Sequence, residues 1–268
     1  MFTLGRKISL TYQPNQMILV ASLLFAVIGY FFSGELLTAV QFGASLFLTW
    51  ALVREIDCKR EYAAVCAAGL GIPFLLNDFQ VSLGTILLIL LLLRVINQIT
   101  GKRPTVVDFL VLIGLAAYLV YANENSLYIF LVFLAYIFNL KGNQNDKQNY
   151  LFISMSFILY IGLFWFDNLT YLSVVDTDLI DVLFYGFGLV LYFVYILMDE
   201  DKESQTDDGK KASVNKLFKA QLYYGIAIGL LLVFSELPRG NVIVFFSAIY
   251  GAVLFGLYDH VRKQRKKE

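Results

Sequence analysis

The sequence predicts an all-α, polytopic integral membrane bundle of about ten transmembrane helices, with the N- and C-termini both cytoplasmic. Three observations carry that expectation. Only 16% of the 268 residues are charged and 59% are hydrophobic, at a mean hydropathy of +0.68, whereas a water-soluble domain carries about 25% charged residues. The apolar residues fall in runs of about 15 to 20, the length that crosses a hydrocarbon core as a helix. Ten spans with the N-terminus inside also leave every Lys and Arg except Arg239 on the cytoplasmic side, where such residues accumulate because they resist translocation. A net charge of zero therefore hides a sided distribution. No basic domain points to nucleic acid, and most of the chain is too apolar for disorder.

Hydrophobic runs between polar breaks place the spans at 17–34, 36–53, 62–77, 81–97, 105–122, 126–140, 149–166, 179–198, 217–235 and 241–258. The first follows a short basic region but exits through Tyr30-Phe-Phe-Ser-Gly-Glu35. That exit lacks the small-x-small pattern of a cleaved signal peptide, so the run counts as a span. The second ends in Leu52-Val-Arg54-Glu-Ile56-Asp57. The third is the weakest, because Ala-Ala-Gly-Leu-Gly-Ile-Pro is only moderately apolar and Pro73 disturbs its outer end; without it every later span inverts. The fourth ends like the second, in Leu92-Leu-Arg94-Val-Ile96-Asn97, so spans two to three and four to five read as related hairpins.

The fifth span carries Asp108 about one turn from its start, where a carboxylate is costly unless it meets a partner or a wet cavity. Asn123, Glu124 and Asn125 make an ordinary turn into the sixth span, which ends near Asn139; Asn77 and Asp78 read the same way. Beyond the seventh, Asp167 to Asp178 is the longest outer loop and holds an Asn168-Leu-Thr170 acceptor pattern close to the membrane. Asp176, Asp178 and Asp181 precede or open the eighth span, where acidic residues favour a helix N-terminus without any ligand. Gly225 and Gly229 in the ninth and Ala248, Ala252 and Gly256 in the tenth form small-residue stripes that let backbones approach closely.

In domain terms this gives an eight-helix body at 1–198, a polar cytoplasmic linker without periodicity at 199–215, a terminal hairpin at 216–258 and a basic tail at 259–268. The linker is expected to be mobile. Cys58 and Cys66 are spaced eight residues apart on or near the reducing side and do not read as a disulfide or a metal pair. The single histidine, His260, excludes a histidine-rich metal site. No cofactor is expected.

The candidate substrate-binding residues are Arg54, Asp57, Arg94, Asn97 and Asp108. Residues three apart share a helix face, and the expected topology brings the arginines and Asp108 to similar depth on the inner side. The functional reading is one polar cluster at the cytoplasmic mouth, with the arginines as fork-like donors to an anionic headgroup or metabolite. In an enzyme, Glu55, Asp57 and Glu61 would hold a divalent cation. The plain alternative is that the arginines snorkel to lipid phosphates and the carboxylates fix packing. Within the spans ionisable groups are nearly absent and Gln41 and Asn139 are the main amides, which disfavours transport driven through buried charge. The expected function is a carrier of a weakly polar or lipid-like small molecule in a bacterial or archaeal cell membrane. The alternatives are a non-catalytic membrane subunit or scaffold, and an integral metal-dependent enzyme acting on a phosphorylated lipid. The expected partners are the bilayer itself, anionic lipid at the basic tail and another membrane protein.

Overall fold

The structure, a computed structural model, describes residues 2–6, 8, 10–75, 80–140, 146–166, 179–198 and 204–265. Among them are ten α-helices and no strand beyond one isolated bridge: α1 (Gln13–Ser33), α2 (Leu36–Ile56), α3 (Glu61–Leu75), α4 (Leu83–Asn97), α5 (Val106–Asn123), α6 (Leu127–Asn139), α7 (Lys147–Phe166), α8 (Leu179–Met198), α9 (Val214–Phe234) and α10 (Arg239–Arg265). Six are long and apolar enough to cross a membrane: α1, α2, α5, α9, Asp181–Met198 of α8 and Arg239–Lys263 of α10. At 1.5 Å per residue, the 21 residues of α1 reach about 31 Å, matching a hydrocarbon core of about 30 Å. The 15 residues of α4 reach about 22 Å and the 13 of α6 about 20 Å. The architecture is compatible with a multi-pass integral membrane protein.

The helices gather into two compact units. Unit 1 comprises Met1–Arg6, Leu87–Asp176 and Glu203–Glu236, and so contains most of α4 together with α5, α6, α7 and α9. Its core is aromatic. Phe109 of α5 stacks on Phe152 of α7 with ring centroids 4.4 Å apart, and Tyr136 of α6 meets both rings edge-on. Tyr223 of α9 is fully buried and donates its hydroxyl to the Leu131 carbonyl of α6 at 3.0 Å. From Leu88 to Ile99, α4 and its exit are buried almost throughout, apart from Arg94. A helix apolar on every face belongs inside a bundle or a bilayer.

Unit 2 comprises Lys7–Ile86, Thr177–Lys202 and Leu237–Glu268, with α1, α2, α3, α8 and α10. α1 ends at Gly34, whose φ of 71° places it in the left-handed region that glycine enters without strain, and α2 turns back along it. Close packing in this unit runs through small residues. A Cβ added at Gly251 of α10 would lie 2.4 Å from the Ala67 Cβ of α3, and Ala63, Ala64, Ala67 and Ala68 are all buried. The modest hydropathy of the third span thus has a physical reason: its alanines are buried, Ala67 against α10, and need no lipid-facing bulk. By contrast, α1 and α8 expose many large apolar side chains, Phe31, Leu23, Leu183 and Phe187 among them, the surface that acyl chains would cover.

Three features of the C-terminal third are not legible in composition alone. The linker expected to lack structure contains a turn, in which Thr206 N–H donates to the Lys210 carbonyl and Ala212 N–H to the Ser204 carbonyl, both at 2.8 Å. Asp207 N–H also donates to the Ile99 carbonyl at 2.9 Å, so the turn is held by tertiary bonding that polar composition does not reveal. The basic tail expected from residue 259 continues α10 as helix to Arg265, favoured by Arg262, Lys263 and Arg265 at a helix C-terminus. α9 lies in unit 1 and α10 in unit 2, which divides the expected terminal hairpin between the units. Asn77, Asp78, Asp167, Asp176, Asp178, the Asn168 acceptor pattern and linker residues 199–203 lie outside the described residues.

Candidate functional site

The five sequence-derived site residues divide between the two units. Arg94, Asn97 and Asp108 belong to unit 1, Arg54 and Asp57 to unit 2. Each set sits at helix ends, and each takes partners within its own unit.

In unit 1, Thr105 N-caps α5 and Asp108 completes a capping box, the arrangement in which two N-terminal backbone groups are satisfied reciprocally. Asp108 is fully buried. Its Oδ2 accepts from Thr105 N–H and from the Thr105 and Thr3 hydroxyls, and its Oδ1 accepts from Thr3 N–H, all at 2.7 Å. Arg94 Nη1 donates to the Leu4 carbonyl at 3.0 Å. Arg94 and Asp108 therefore do converge, and what lies between them is the chain's own segment Thr3–Leu4. Asn97 takes a local role: its side-chain oxygen accepts Ile99 N–H at 3.0 Å and turns the chain out of α4.

A second set in unit 1 was not anticipated. Lys216 Nζ donates to Gln98 Oε1, Gln98 Nε2 to Asn139 Oδ1 at 2.8 Å, Asn139 Nδ2 to Asn149 Oδ1 at 3.2 Å, and Asn149 Nδ2 to Asp146 Oδ1 at 2.8 Å. An ammonium at one end and a carboxylate at the other orient all three amides the same way, so successive bonds polarise one another. Gln98 holds φ at 49° to enter this chain. Asn139 was visible in the sequence as an intraspan amide; its partners, Gln98 just beyond α4 and Asn149 of α7, carry no sequence signal.

In unit 2 the Arg54 guanidinium lies 5.3 Å from the Trp50 ring and 5.9 Å from the Tyr12 ring, a cation–π placement one turn along its own helix. Asp57 follows the last residue of α2 and pairs with Arg60, the pair being 3.2 Å apart. Arg60 Nη1 also donates to the Tyr195 hydroxyl at 2.7 Å, that hydroxyl donates to Asp57 at 2.9 Å, and Arg60 Nε donates to Asp259 at 3.3 Å. Burial pushes the Asp57 carboxyl above the usual carboxylate range, with Arg60 and the Tyr195 hydroxyl pulling the other way. Arg60 could have been found as the i+3 partner of Asp57, whereas Tyr195 and Asp259 are brought in by α8 and α10. Among the described residues no group of three His, Cys, Asp or Glu side chains is placed to hold a metal ion.

One open groove of about 590 Å³ lies between α6 and α7, lined by Phe133, Tyr150, Leu151, Ile153, Ser154 and Phe157 with Lys147 at its end. Its walls are apolar apart from one hydroxyl, one phenol and one ammonium. No family model, curated protein or solved structure matches the chain.

Proposed function

We propose that the protein is a ten-span membrane carrier with both termini cytoplasmic, and that it moves a lipid-like amphiphile along the groove between α6 and α7. The observation that carries this reading is the groove itself, with apolar and aromatic walls and one ammonium at the end where α7 begins. A charged solute would find nothing to replace its hydration on those walls. An amphiphile would bury its tail there and pair its headgroup with Lys147. The ionisable side chains support the same reading. Among the described residues Arg54, Arg94, Asp108, Lys216 and Asp259 all lie within two turns of a helix end, whereas an ion-coupled cycle calls for a charge nearer the midplane.

The test is protein reconstituted into vesicles carrying a headgroup-labelled phosphatidylglycerol, with leaflet exchange followed by membrane-impermeant quenching. Exchange should exceed that of protein-free vesicles. Lys147→Ala should slow the anionic lipid roughly three- to fivefold, since an exposed ion pair contributes up to about 1 kcal/mol and about 1.4 kcal/mol is tenfold. It should leave labelled phosphatidylcholine unchanged. Ser154→Trp, which fills the groove, should slow both. Absence of protein-dependent exchange for either lipid, with folded protein in the vesicles, overturns the carrier reading.

A further inference from the structure

Residues 2–6 are held in unit 1 in the manner of a bound peptide. They form no helix or strand. Thr3 presents its N–H to Asp108 Oδ1 and its hydroxyl to Asp108 Oδ2, each at 2.7 Å, the hydroxyl also lying 3.3 Å from the Arg103 carbonyl. Leu4 gives its carbonyl to Arg94 Nη1 at 3.0 Å and its side chain to the interior, at 1% exposure. Arg6 is gripped at two points by Asp207, Nε to Oδ2 at 3.0 Å and Nη2 to Oδ1 at 2.5 Å, the paired geometry that guanidinium and carboxylate favour. The receiving groups come from α4, from α5 and from the turn at 204–212, at least 90 residues away in the chain.

The bonds to Asp108 are of two kinds. Those from Thr105 belong to the capping box of α5 and are local to that helix end. Those from Thr3 come from outside, and Oδ1 of a fully buried carboxylate accepts one of them. Vacating the site would strand that oxygen, at the cost attached to any buried acceptor left without a donor. The segment is thus met by a carboxylate at either end and one guanidinium between them.

We propose that Asp108, Arg94 and Asp207 form a peptide-binding site that the chain fills in cis with Thr3–Arg6 and that opens to a peptide of the same chemistry in trans. The occupant carries a hydroxyl residue, then an apolar residue, then a cation two positions on. The carboxylates set the sign: an anionic headgroup, the ligand that the arginines alone pointed to, would meet Asp108 and Asp207. The inference is independent of the carrier reading, since it uses neither the groove nor Lys147.

The test uses the full chain in detergent and a fluorescent acetyl-Phe-Thr-Leu-Gly-Arg-amide probe read by anisotropy. In the unaltered protein the tethered segment outcompetes the probe, because its effective concentration is of millimolar order. Thr3→Pro removes both the N–H and the hydroxyl from the cis segment, and the probe should then bind at least tenfold tighter. Adding Asp108→Asn should weaken it again at least tenfold, and a probe ending in Glu in place of Arg should not compete. Equal binding to all three proteins, or no binding to Thr3→Pro, overturns the proposal. Hydrogen exchange on the unaltered protein decides independently of whether Thr3→Pro folds. A peptic fragment covering Phe2–Arg6 should exchange ahead of the α4 fragment, and exchange of the two only together would show the segment to be an inseparable part of the fold and sink the idea.

Discussion

Arg60 shows how a charge is accommodated at the edge of an apolar bundle. Its side chain is only 9% exposed, and withdrawing an ion from water costs several kcal/mol. That cost is offset by two carboxylates and a phenol that links Arg60 to one of them: Tyr195 receives from Arg60 and gives to Asp57. Asp57 bears the residual strain of the arrangement, because burial raises its carboxyl above the ordinary value of 3.8 more than Arg60 lowers it. An acid whose folded-state pKa is raised contributes stability below its unfolded pKa and loses that contribution as pH rises through the folded pKa. The unfolding free energy of the unaltered protein relative to Asp57→Asn should therefore fall as pH is raised above about 4 and then level off, measured by denaturant titration in detergent. A difference that grew with pH would mean that pairing with Arg60 outweighs burial.

At the scale of helices, the contact of α3 with α10 is set by residue size. Ala67 and Gly251 bring the backbones so close that a Cβ on Gly251 would lie 2.7 Å from the Ala67 Cα as well as 2.4 Å from its Cβ. No flexible side chain stands there to yield. Gly251→Val should cost about 1–3 kcal/mol or more, the usual penalty of overpacking, and Ala67→Gly should restore part of it by removing the opposing methyl. Unfolding in mixed micelles measures both, and an unchanged midpoint for Gly251→Val would exclude this packing. Such close approach suits a bilayer, where apolar burial gives helices no preference for one another over lipid and van der Waals contact must hold them. The short α6 makes a related point: tyrosines, phenylalanines and the terminal Asn139 tie it to α7 and α9, so neighbours rather than its own length secure it.

For the whole molecule, the decisive quantity is the number of crossings, since inserting or omitting one reverses everything after it. α3, α4, α6 and α7, which are not among the six helices long and apolar enough to span, are the elements on which that count turns. Ten crossings put fusions after Lys267 and within Gly101–Arg103 in the cytoplasm and one at Gln80 outside. Alkaline phosphatase, active only after export, should be inactive at the first two positions and active at the third. Activity after Lys267 would overturn the count.

Much of this protein can be read from residue order because membrane insertion is governed by local quantities. Hydropathy summed over about twenty residues finds the helices, and the placement of cations sets an expected orientation, neither of which requires knowing what touches what. The turn roles of Asn97 and Asp57 and the capping position of Asp108 were similarly within reach, being contacts between close neighbours in the chain. What lay beyond it are the long-range partners: Thr3–Leu4 between Arg94 and Asp108, Tyr195 and Asp259 on Arg60, and the amide chain from Lys216 to Asp146. A polar group in an apolar bundle must find a partner wherever the fold supplies one, and that demand is met in space, between residues up to 201 positions apart, with no pattern along the chain to announce it.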